Sequence, residues 1–431
     1  MPSQYILAAY ETYAKTYQKW NKIPIEWDLK NKKLRCNSLS HLIIWEFDIC
    51  CAFIIVSMIA GLILQQLISR DENVPLSVLF ANGTSFIVMI AAISVYINMV
   101  LNGRSFVTGY NQLLTLESNL EALEENSHAA GRLKPEPDND LFVKALKPCT
   151  LFCYPSALVV TCVAVFLKID PGYLFFHQTR VFLGYANDSA WTTEMIVGFL
   201  RSSVFFLALM ETGRVWPLAC MVHISYKMMI SNCIGVMHRI TQRIHECGIS
   251  KIKNVALLKM VLYQQNNLNL VMGLGGSLDQ TALFIQLQMT VICGIVTNFA
   301  TLRFYDSLPF VIYHKMPFIS LLLALCTNAM LKYCHVIADN STDLRILLTK
   351  VTGWNGRRGY FSRKVAAIRG LRIYGGVGHV QILWIERGTK AKFFDFILNQ
   401  TIDLLLAIPR GVKIYKSKAG KRAKSKLAVA L

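Results

Sequence analysis

The sequence predicts an all-α membrane protein with seven transmembrane helices and a cytoplasmic N-terminus. Three observations predict this fold class. Hydrophobic residues make up 54% of the 431 residues and charged residues only 16%, against about 25% in ordinary soluble domains. The apolar residues fall in long blocks that exclude charge, and the density of Lys and Arg between the blocks alternates along the chain. This composition excludes a disordered protein and a small disulfide-stabilised scaffold.

Six apolar blocks are long enough to cross about 30 Å of hydrocarbon as helices. Residues 49–69 contain no Asp, Glu, Lys or Arg, and neither do residues 73–103. The predicted helices span about 42–68, 74–101, 148–167, 191–226, 278–302 and 309–331. Residues 1–41 are polar and aromatic, without the apolar core of a signal peptide. We therefore expect them to form a cytoplasmic N-terminal segment and the first block to be the insertion signal.

A seventh, shorter block covers residues 393–408 and carries Asp395 and Asp403. Carboxylates in a spanning helix normally face protein or water and not lipid. If this block spans the membrane, it is expected to be a buried or pore-facing helix. The alternative is a helix that lies on the membrane surface with an acidic edge.

One face of this last helix is a candidate pore lining. Thr401, Leu405 and Ile408 share a face because they are four and three residues apart. A short helix with a mixed polar and apolar face suits a pore made by several copies, in which a narrow apolar ring closes the pore by dewetting.

The positive-inside rule predicts the orientation. Residues 1–41, 102–147, 227–277 and 332–392 are rich in Lys and Arg, and the connections between them are poor in both. The N-terminus is therefore expected in the cytoplasm of a multi-pass plasma-membrane protein, surrounded by lipid. Seven crossings place the C-terminus outside, which conflicts with the basic tail at 409–431, so the side of that tail is left open.

Two of the basic segments are predicted to be structured. In residues 227–277, Ile230, Ile234, Met237 and Ile244 follow helical spacing. We expect helices four to six to extend into the cytoplasm as an anchor that comprises residues 227–277 and 332–392. An amphipathic hairpin on the lipid surface is the alternative for the first of these segments. On the predicted outer side, Asn187 begins an Asn-Asp-Ser sequon and is a candidate glycosylation site.

The sequence contains no pattern typical of catalysis or metal binding. The nine His form no HExxH pair, and most of the Cys lie inside apolar blocks, as small buried side chains do. We therefore expect no enzymatic activity, no cofactor and no metal. The basic charge lies in segments that flank membrane helices, so no nucleic acid partner is expected.

Three charged residues inside the fourth block are informative because charge in a membrane helix is costly. Glu211 and Arg214 are three residues apart and can form a structural ion pair on one helical face. Arg201 is flanked by aromatic residues. It either extends its guanidinium to the membrane surface or faces a ligand in an outer cavity.

Two stretches resemble a known family. Residues 298–304 (NFATLRF) resemble the end of the fifth helix in the arthropod gustatory and odorant receptor superfamily, and residues 371–393 resemble its approach to the last helix. The helix count, the inner N-terminus and the short last helix are also similar, over most of residues 42–408. The gustatory hallmark of Thr-Tyr, five residues and Gln-Phe is reduced here to Thr401. Its other positions hold Ile402, Ile408 and Pro409.

This resemblance implies a ligand-gated, nonselective cation channel built as a homo- or hetero-tetramer. The last helices would line the pore, with Leu405 at the apolar gate position and Ile408 at the filter position, and the inner segments would hold the subunits together. A small-molecule tastant or odorant would bind in a pocket that opens outward among helices two, three, four and six. By depth and side-chain type, the candidate pocket residues are Phe166, Arg201, Phe205, Tyr313 and His314.

Two other classes stay open. A seven-helix G-protein-coupled receptor requires an outer N-terminus. A secondary transporter often contains internal repeats, and no repeat is evident between the two halves of this sequence.

Overall fold

The computed structural model describes residues 4–18, 21–69, 76–126, 141–182, 191–247, 252–305, 310–353, 358–368, 370–378 and 380–407. This part contains ten α-helices and two β-hairpins, in the order α1 (Gln4–Tyr17), β1 (Ile25–Asp28), β2 (Lys33–Cys36), α2 (Ile43–Ser69), α3 (Leu76–Asn126), α4 (Leu141–Phe166), α5 (Pro171–Phe182), α6 (Trp191–Cys247), α7 (Ile252–Arg303), α8 (Phe310–Gly353), α9 (Arg358–Ala367), β3 (Tyr374–Val377), β4 (Val380–Trp384) and α10 (Thr389–Ala407). The predicted helical architecture is confirmed, and the two hairpins are additions that the sequence pattern did not indicate. Asn187, Ile408 and the tail at 409–431 lie outside the described residues.

Four helices are much longer than a bilayer is thick. The helices α3, α6, α7 and α8 contain 51, 57, 52 and 44 residues. At 1.5 Å per residue they are ~65 to 85 Å long, against about 30 Å of hydrocarbon. The predicted second helix and the polar segment after it form one continuous helix, α3. An extension was predicted for the fourth to sixth helices, and the second helix has one as well. The side of the membrane on which the extensions lie stays a prediction.

Six stretches of the described helices are long and apolar enough to cross a membrane. They are Ile43–Gln66, Val78–Glu125, Pro155–His177, Met195–Cys247, Asn254–Arg303 and Met316–Thr352. The last helix, α10, is not one of them, because its 19 residues include Lys390, Lys392, Asp395 and Asp403. A seventh crossing therefore stays a prediction.

The N-terminal segment is part of the main core. Tyr10, Tyr13 and Tyr17 lie on one side of α1 and are buried. The Tyr10 ring stacks on Trp27 of β1 at 4.3 Å between centroids, and its hydroxyl lies 2.9 Å from Ser225 Oγ in α6. Burial raises the pKa of Tyr10 well above its usual value, so this hydroxyl stays neutral in the core. The first helix is thereby joined to the middle of the bundle.

The hairpin β3–β4 and the helix α10 pack on α7. The Gly378 N–H in the hairpin turn donates to Thr281 Oγ1 of α7 at 3.0 Å, and Gly378 has a φ of +58°, which favours glycine. Further along α7, Gly294 faces Ile397 of α10, and a Cβ at Gly294 would lie 3.4 Å from the Ile397 side chain. The missing side chain lets the two helices approach closely.

Candidate functional site

The helix α10 has one packed face and one open face. Ile397 and Thr401 are buried, with Thr401 only 4% exposed, and the Thr401 hydroxyl donates to Ile397 O at 2.7 Å. Leu404 and Leu405 pack against the apolar cluster of Phe299, Ala300, Phe304 and Met316. This packed face is turned toward α7 of the same chain.

The open face of α10 comprises residues on the opposite side of the helix. They are Asp395, Leu398, Asn399, Ile402, Asp403 and Leu406, and Leu406 is 76% exposed. Thr401 and Leu405, two residues of the predicted pore-lining face, lie on the packed side of α10 in the single chain, and their role in a pore stays a prediction. On the same side, Ile397 lies against Gly294 of α7, where the missing side chain leaves room for α10 to approach. The third residue of the predicted face, Ile408, lies beyond the described part of the chain.

The carboxylates of the open face have only local hydrogen-bond partners among the described residues. Asn399 Nδ2 donates to Asp395 Oδ2 at 3.2 Å, and Gln400 Nε2 lies 3.5 Å from Asp403 Oδ2. Both amides belong to α10 itself. Within the described ranges, neither carboxylate forms an ion pair with Lys or Arg.

Arg201 has a partner that the sequence reasoning missed. Its Nε lies 3.0 Å from Oδ1 of Asp170, which is fully buried. Asp170 caps α5, accepting the N–H of Tyr173 at 2.9 Å, and Pro171 occupies the first helical position. The Arg201 guanidinium also lies 5.1 Å from the centroid of the Tyr173 ring. The Asp-Pro-Gly signature of a helix start at 170–172 was the available signal for this acidic cap.

The five candidate pocket residues have different surroundings in the described structure. Phe205 is buried in an apolar cluster with residues of α2 and α3. Phe166 is 86% exposed at the end of α4. The Tyr313 hydroxyl donates to Thr301 O at 3.3 Å, and His314 is exposed, with Nδ1 2.9 Å from Phe310 O. A ligand pocket at these residues stays a prediction.

Two cavities lie deeper in the bundle. One, of about 10 Å³, is bounded by α3, α6, α7 and α8 and reaches Trp216, His223 and Gln286. The other, of about 30 Å³, reaches Asp279 and Arg372 before β3. Both are far smaller than the roughly 300 to 1,000 Å³ typical of sites for drug-sized ligands.

A buried cluster of three ionisable residues borders both cavities, with His223 lining the first and Asp279 the second. Asp279 Oδ1 of α7 lies 2.6 Å from Lys227 Nζ and 2.8 Å from His223 Nδ1, both of α6. Lys227 has no exposed surface. A buried charge needs a paired counter-charge, and Asp279 supplies it. The signal in the sequence was a Lys and an Asp near the facing inner ends of the predicted fourth and fifth helices.

Glu211 and Arg214 form an ion pair on one face of α6, with Arg214 Nη2 2.6 Å from Glu211 Oε2. The Tyr96 hydroxyl of α3 donates to Glu211 Oε1, and Arg214 Nη1 donates to Asn21 O at 3.2 Å. Both charged groups are buried. The pair therefore ties α6 to α3 and to the N-terminal segment.

Two solved structures have a fold similar to that of this chain. One is the insect olfactory receptor OR5 from Machilis hrabei, with 10% identity, a TM-score of 0.55, and coverage of 94% of this chain and 97% of that chain. The other is the same receptor in complex with eugenol, with 12% identity, a TM-score of 0.58, and coverage of 94% and 98%. No protein-family model matches the sequence, and neither does any curated protein.

At this identity the likeness shows the fold, and it agrees with the fold that the resemblance at residues 298–304 and 371–393 implies. The shared architecture covers nearly the whole of both chains. Together with the six apolar helices, it makes the chain a multi-pass membrane protein.

Proposed function

We propose that the chain is a chemosensory receptor that acts as a ligand-gated cation channel in the plasma membrane. The observation that carries the proposal is the likeness in fold, along nearly the full chain, to an insect olfactory receptor whose structure was also solved with eugenol. The resemblance in sequence, which implies a channel gated by a small molecule, supports the same function.

The last helix supports a pore. The α10 helix is packed on one side only, and its open side carries Asp395 and Asp403. Charged side chains at membrane depth face protein or water. Several copies of α10 around one axis would enclose the water that these carboxylates need, which also makes α10 the seventh crossing.

The extended helices support an oligomer, which we propose to be a homo- or hetero-tetramer. Met260, Tyr263, Leu270 and Leu274 form an exposed apolar stripe on α7. Leu274 lies ~44 Å along the helix from Arg303, outside the hydrocarbon. Exposed apolar patches outside the membrane mark protein interfaces, so the stripe is suited to contact a neighbouring subunit in the cytoplasmic anchor.

The ligand pocket is proposed to lie between α3, α4, α6 and α8, on the side of the membrane opposite the anchor. Phe205 and Tyr313 would supply apolar and aromatic contacts, and Arg201 a polar anchor. Because Arg201 is paired with Asp170, a ligand would contact a guanidinium that is already held in place. Phe166 and His314 would line the entrance, since both are exposed.

The proposed function is tested by recording from cells that express the chain. A panel of small organic odorants and tastants, including eugenol, is expected to evoke cation current that persists when G-protein signalling is blocked. Tags at residues 2 and 187, stained before and after permeabilisation, are expected to place the N-terminus inside. Surface staining of the N-terminal tag, or a response abolished by the G-protein block, would contradict the proposal.

A further inference from the structure

Two thiols meet where α6 packs on α8. Cys220 Sγ of α6 lies 3.1 Å from Cys326 Sγ of α8, and the two residues are 106 positions apart in the chain. Cys326 is buried and Cys220 is half-buried. An S–S bond is ~2.05 Å long, so the two sulphur atoms need to approach by only about 1 Å to form one. The sequence pattern gives these residues no role beyond packing as small side chains.

Two further thiols lie near this contact. Cys149 and Cys153 occupy successive turns of α4, which packs on both α6 and α8. Both are close enough to Cys220 to interact with it electrostatically. One junction of three helices therefore holds four of the twelve cysteines of the chain. We call these four residues, Cys149, Cys153, Cys220 and Cys326, the thiol junction.

The thiol junction lies near the predicted cytoplasmic surface of the membrane. At 1.5 Å per residue, Cys220 is ~9 Å from the inner end of the predicted fourth helix, and Cys326 is ~8 Å from the inner end of the predicted sixth. Thiols on the cytoplasmic side of a cell are kept reduced. The reduced pair is therefore the resting state, and a disulfide between the two residues requires an oxidant.

The surroundings of Cys220 allow a small oxidant to react there. Cys220 lines the smaller cavity, whose volume of about 10 Å³ is close to that needed for one water molecule. His223 lines the same cavity one helical turn away. Because a carboxylate only accepts hydrogen bonds, His223 Nδ1 donates to Asp279, which leaves Nε2 as the nitrogen that can accept a thiol proton. A base beside a thiol is the arrangement that activates cysteine.

We propose that Cys220 and Cys326 form a reversible disulfide, which hydrogen peroxide generates and thiol reductants remove. The Cys220 sulphur attacks one peroxide oxygen and the O–O bond breaks, which gives a sulfenic acid and water. The Cys326 sulphur then attacks the Cys220 sulphur, the S–O bond breaks, and the hydroxyl leaves with the Cys326 proton as water. Two thiols lose two electrons, and one hydrogen peroxide is reduced to two waters. A dithiol reverses the reaction by exchange and is itself oxidised to a disulfide.

The disulfide would fix α6 against α8. Both helices carry candidate pocket residues, which are Arg201 and Phe205 on α6 and Tyr313 and His314 on α8. Sliding of packed helices past one another is a common form of conformational change, and a covalent bond between the helices prevents it. We therefore expect oxidation to lower the response to agonist. This consequence rests on the proposed function, whereas the disulfide itself does not.

The first test needs no agonist current. Membranes that contain the full chain are treated with hydrogen peroxide, blocked with N-ethylmaleimide, digested and analysed by mass spectrometry. We expect a linked peptide pair that contains Cys220 and Cys326, in chains that run as monomers on a non-reducing gel, and its loss after dithiothreitol. Labelling of both thiols by N-ethylmaleimide after peroxide treatment, or a link from Cys220 to Cys149 or Cys153 instead, would overturn the inference.

Matched alanine variants test the assignment in the detergent-extracted protein. Oxidation is expected to raise the melting temperature of the parent chain, because the bond closes a loop between residues 106 positions apart. The rise should be absent in Cys220→Ala and Cys326→Ala. It should remain in Cys233→Ala and Cys334→Ala, which remove buried cysteines from the same two helices. A rise that persists in Cys220→Ala and Cys326→Ala would contradict the pairing.

The agonist response separates this inference from the proposed function. Hydrogen peroxide is expected to lower the agonist current of the parent chain several-fold, dithiothreitol to restore it, and Cys326→Ala to be insensitive to both. An unchanged current in chains that carry the disulfide would overturn its effect on gating. Formation of the disulfide in a chain that gives no agonist current would support the pair and count against the proposed function.

Discussion

Lys227 Nζ of α6 lies 2.6 Å from Asp279 Oδ1 of α7, and this contact is completely enclosed by the bundle. His223 completes the cluster from one helical turn away on α6. His223 lines the first cavity and Asp279 the second, which extends toward the residues that lead into β3. The contact therefore joins α6 to α7 inside the bundle.

Removal of the Lys227 charge should strongly destabilise the protein. Among the described residues, Lys227→Met leaves buried Asp279 with His223 as its remaining partner, and breaking a buried pair on one side costs about 3 to 5 kcal/mol. A large fall in the melting temperature of the detergent-extracted protein is expected. Lys259→Met, on an exposed part of α7, is the control. Equal melting temperatures for the two variants would contradict the prediction.

Tyr96 should stabilise the ion pair of Glu211 and Arg214 through its hydroxyl. Tyr96→Phe keeps the ring and removes the donor to Glu211, and a hydrogen bond to a charged group contributes about 1.5 to 3 kcal/mol. A lower melting temperature is expected, with an unchanged response to agonist if the pair is purely structural. Tyr360→Phe, whose side chain is exposed, should have no effect, and an equal loss in both variants would count against this role.

Gly172 is expected to be essential for the position of Arg201. A Cβ at Gly172 would lie 2.5 Å from Arg201 Cγ, so Gly172→Ala must displace the side chain and weaken its contact with Asp170. If Arg201 anchors the ligand, agonist potency should fall while surface expression is maintained. Gly198→Ala, with open space around its Cβ, is the matched control. Unchanged agonist potency in Gly172→Ala would show that Arg201 does not anchor the ligand.

The apolar stripe on α7 should be required for assembly. Leu270→Glu places a charge in the proposed interface, where a buried unpaired charge is strongly unfavourable. Light scattering of the purified protein is expected to show fewer subunits per particle than in the parent chain. Ser118→Glu, on an exposed part of α3, is the control. Four subunits in both variants would place the interface elsewhere.

The helices could be predicted from the sequence because the membrane constrains them. A block such as residues 49–69 has one stable conformation in hydrocarbon, a helix in which the backbone groups form hydrogen bonds with one another. The ion pair of Glu211 and Arg214 could also be predicted, since residues three apart share a helical face.

Contacts between distant helices could not be predicted in the same way. Lys227 and Asp279 are 52 residues apart, and no spacing rule joins them. The side of α10 that packs on α7 could not be predicted either, because both sides of this helix carry apolar residues. The contact with Gly294, which determines the packed side, is visible only in three dimensions.

The contact between Tyr10 and Ser225 constrains how the protein is made. The two residues are 215 positions apart, and at about 5 to 20 residues per second the ribosome needs roughly 10 to 40 s to synthesise the chain between them. During that interval the tyrosines of α1 lack the surface that later buries them. Nascent chains arrested before α6 is complete should therefore be recognised by chaperones, so the earliest part of the chain to be translated is among the last to reach its final position.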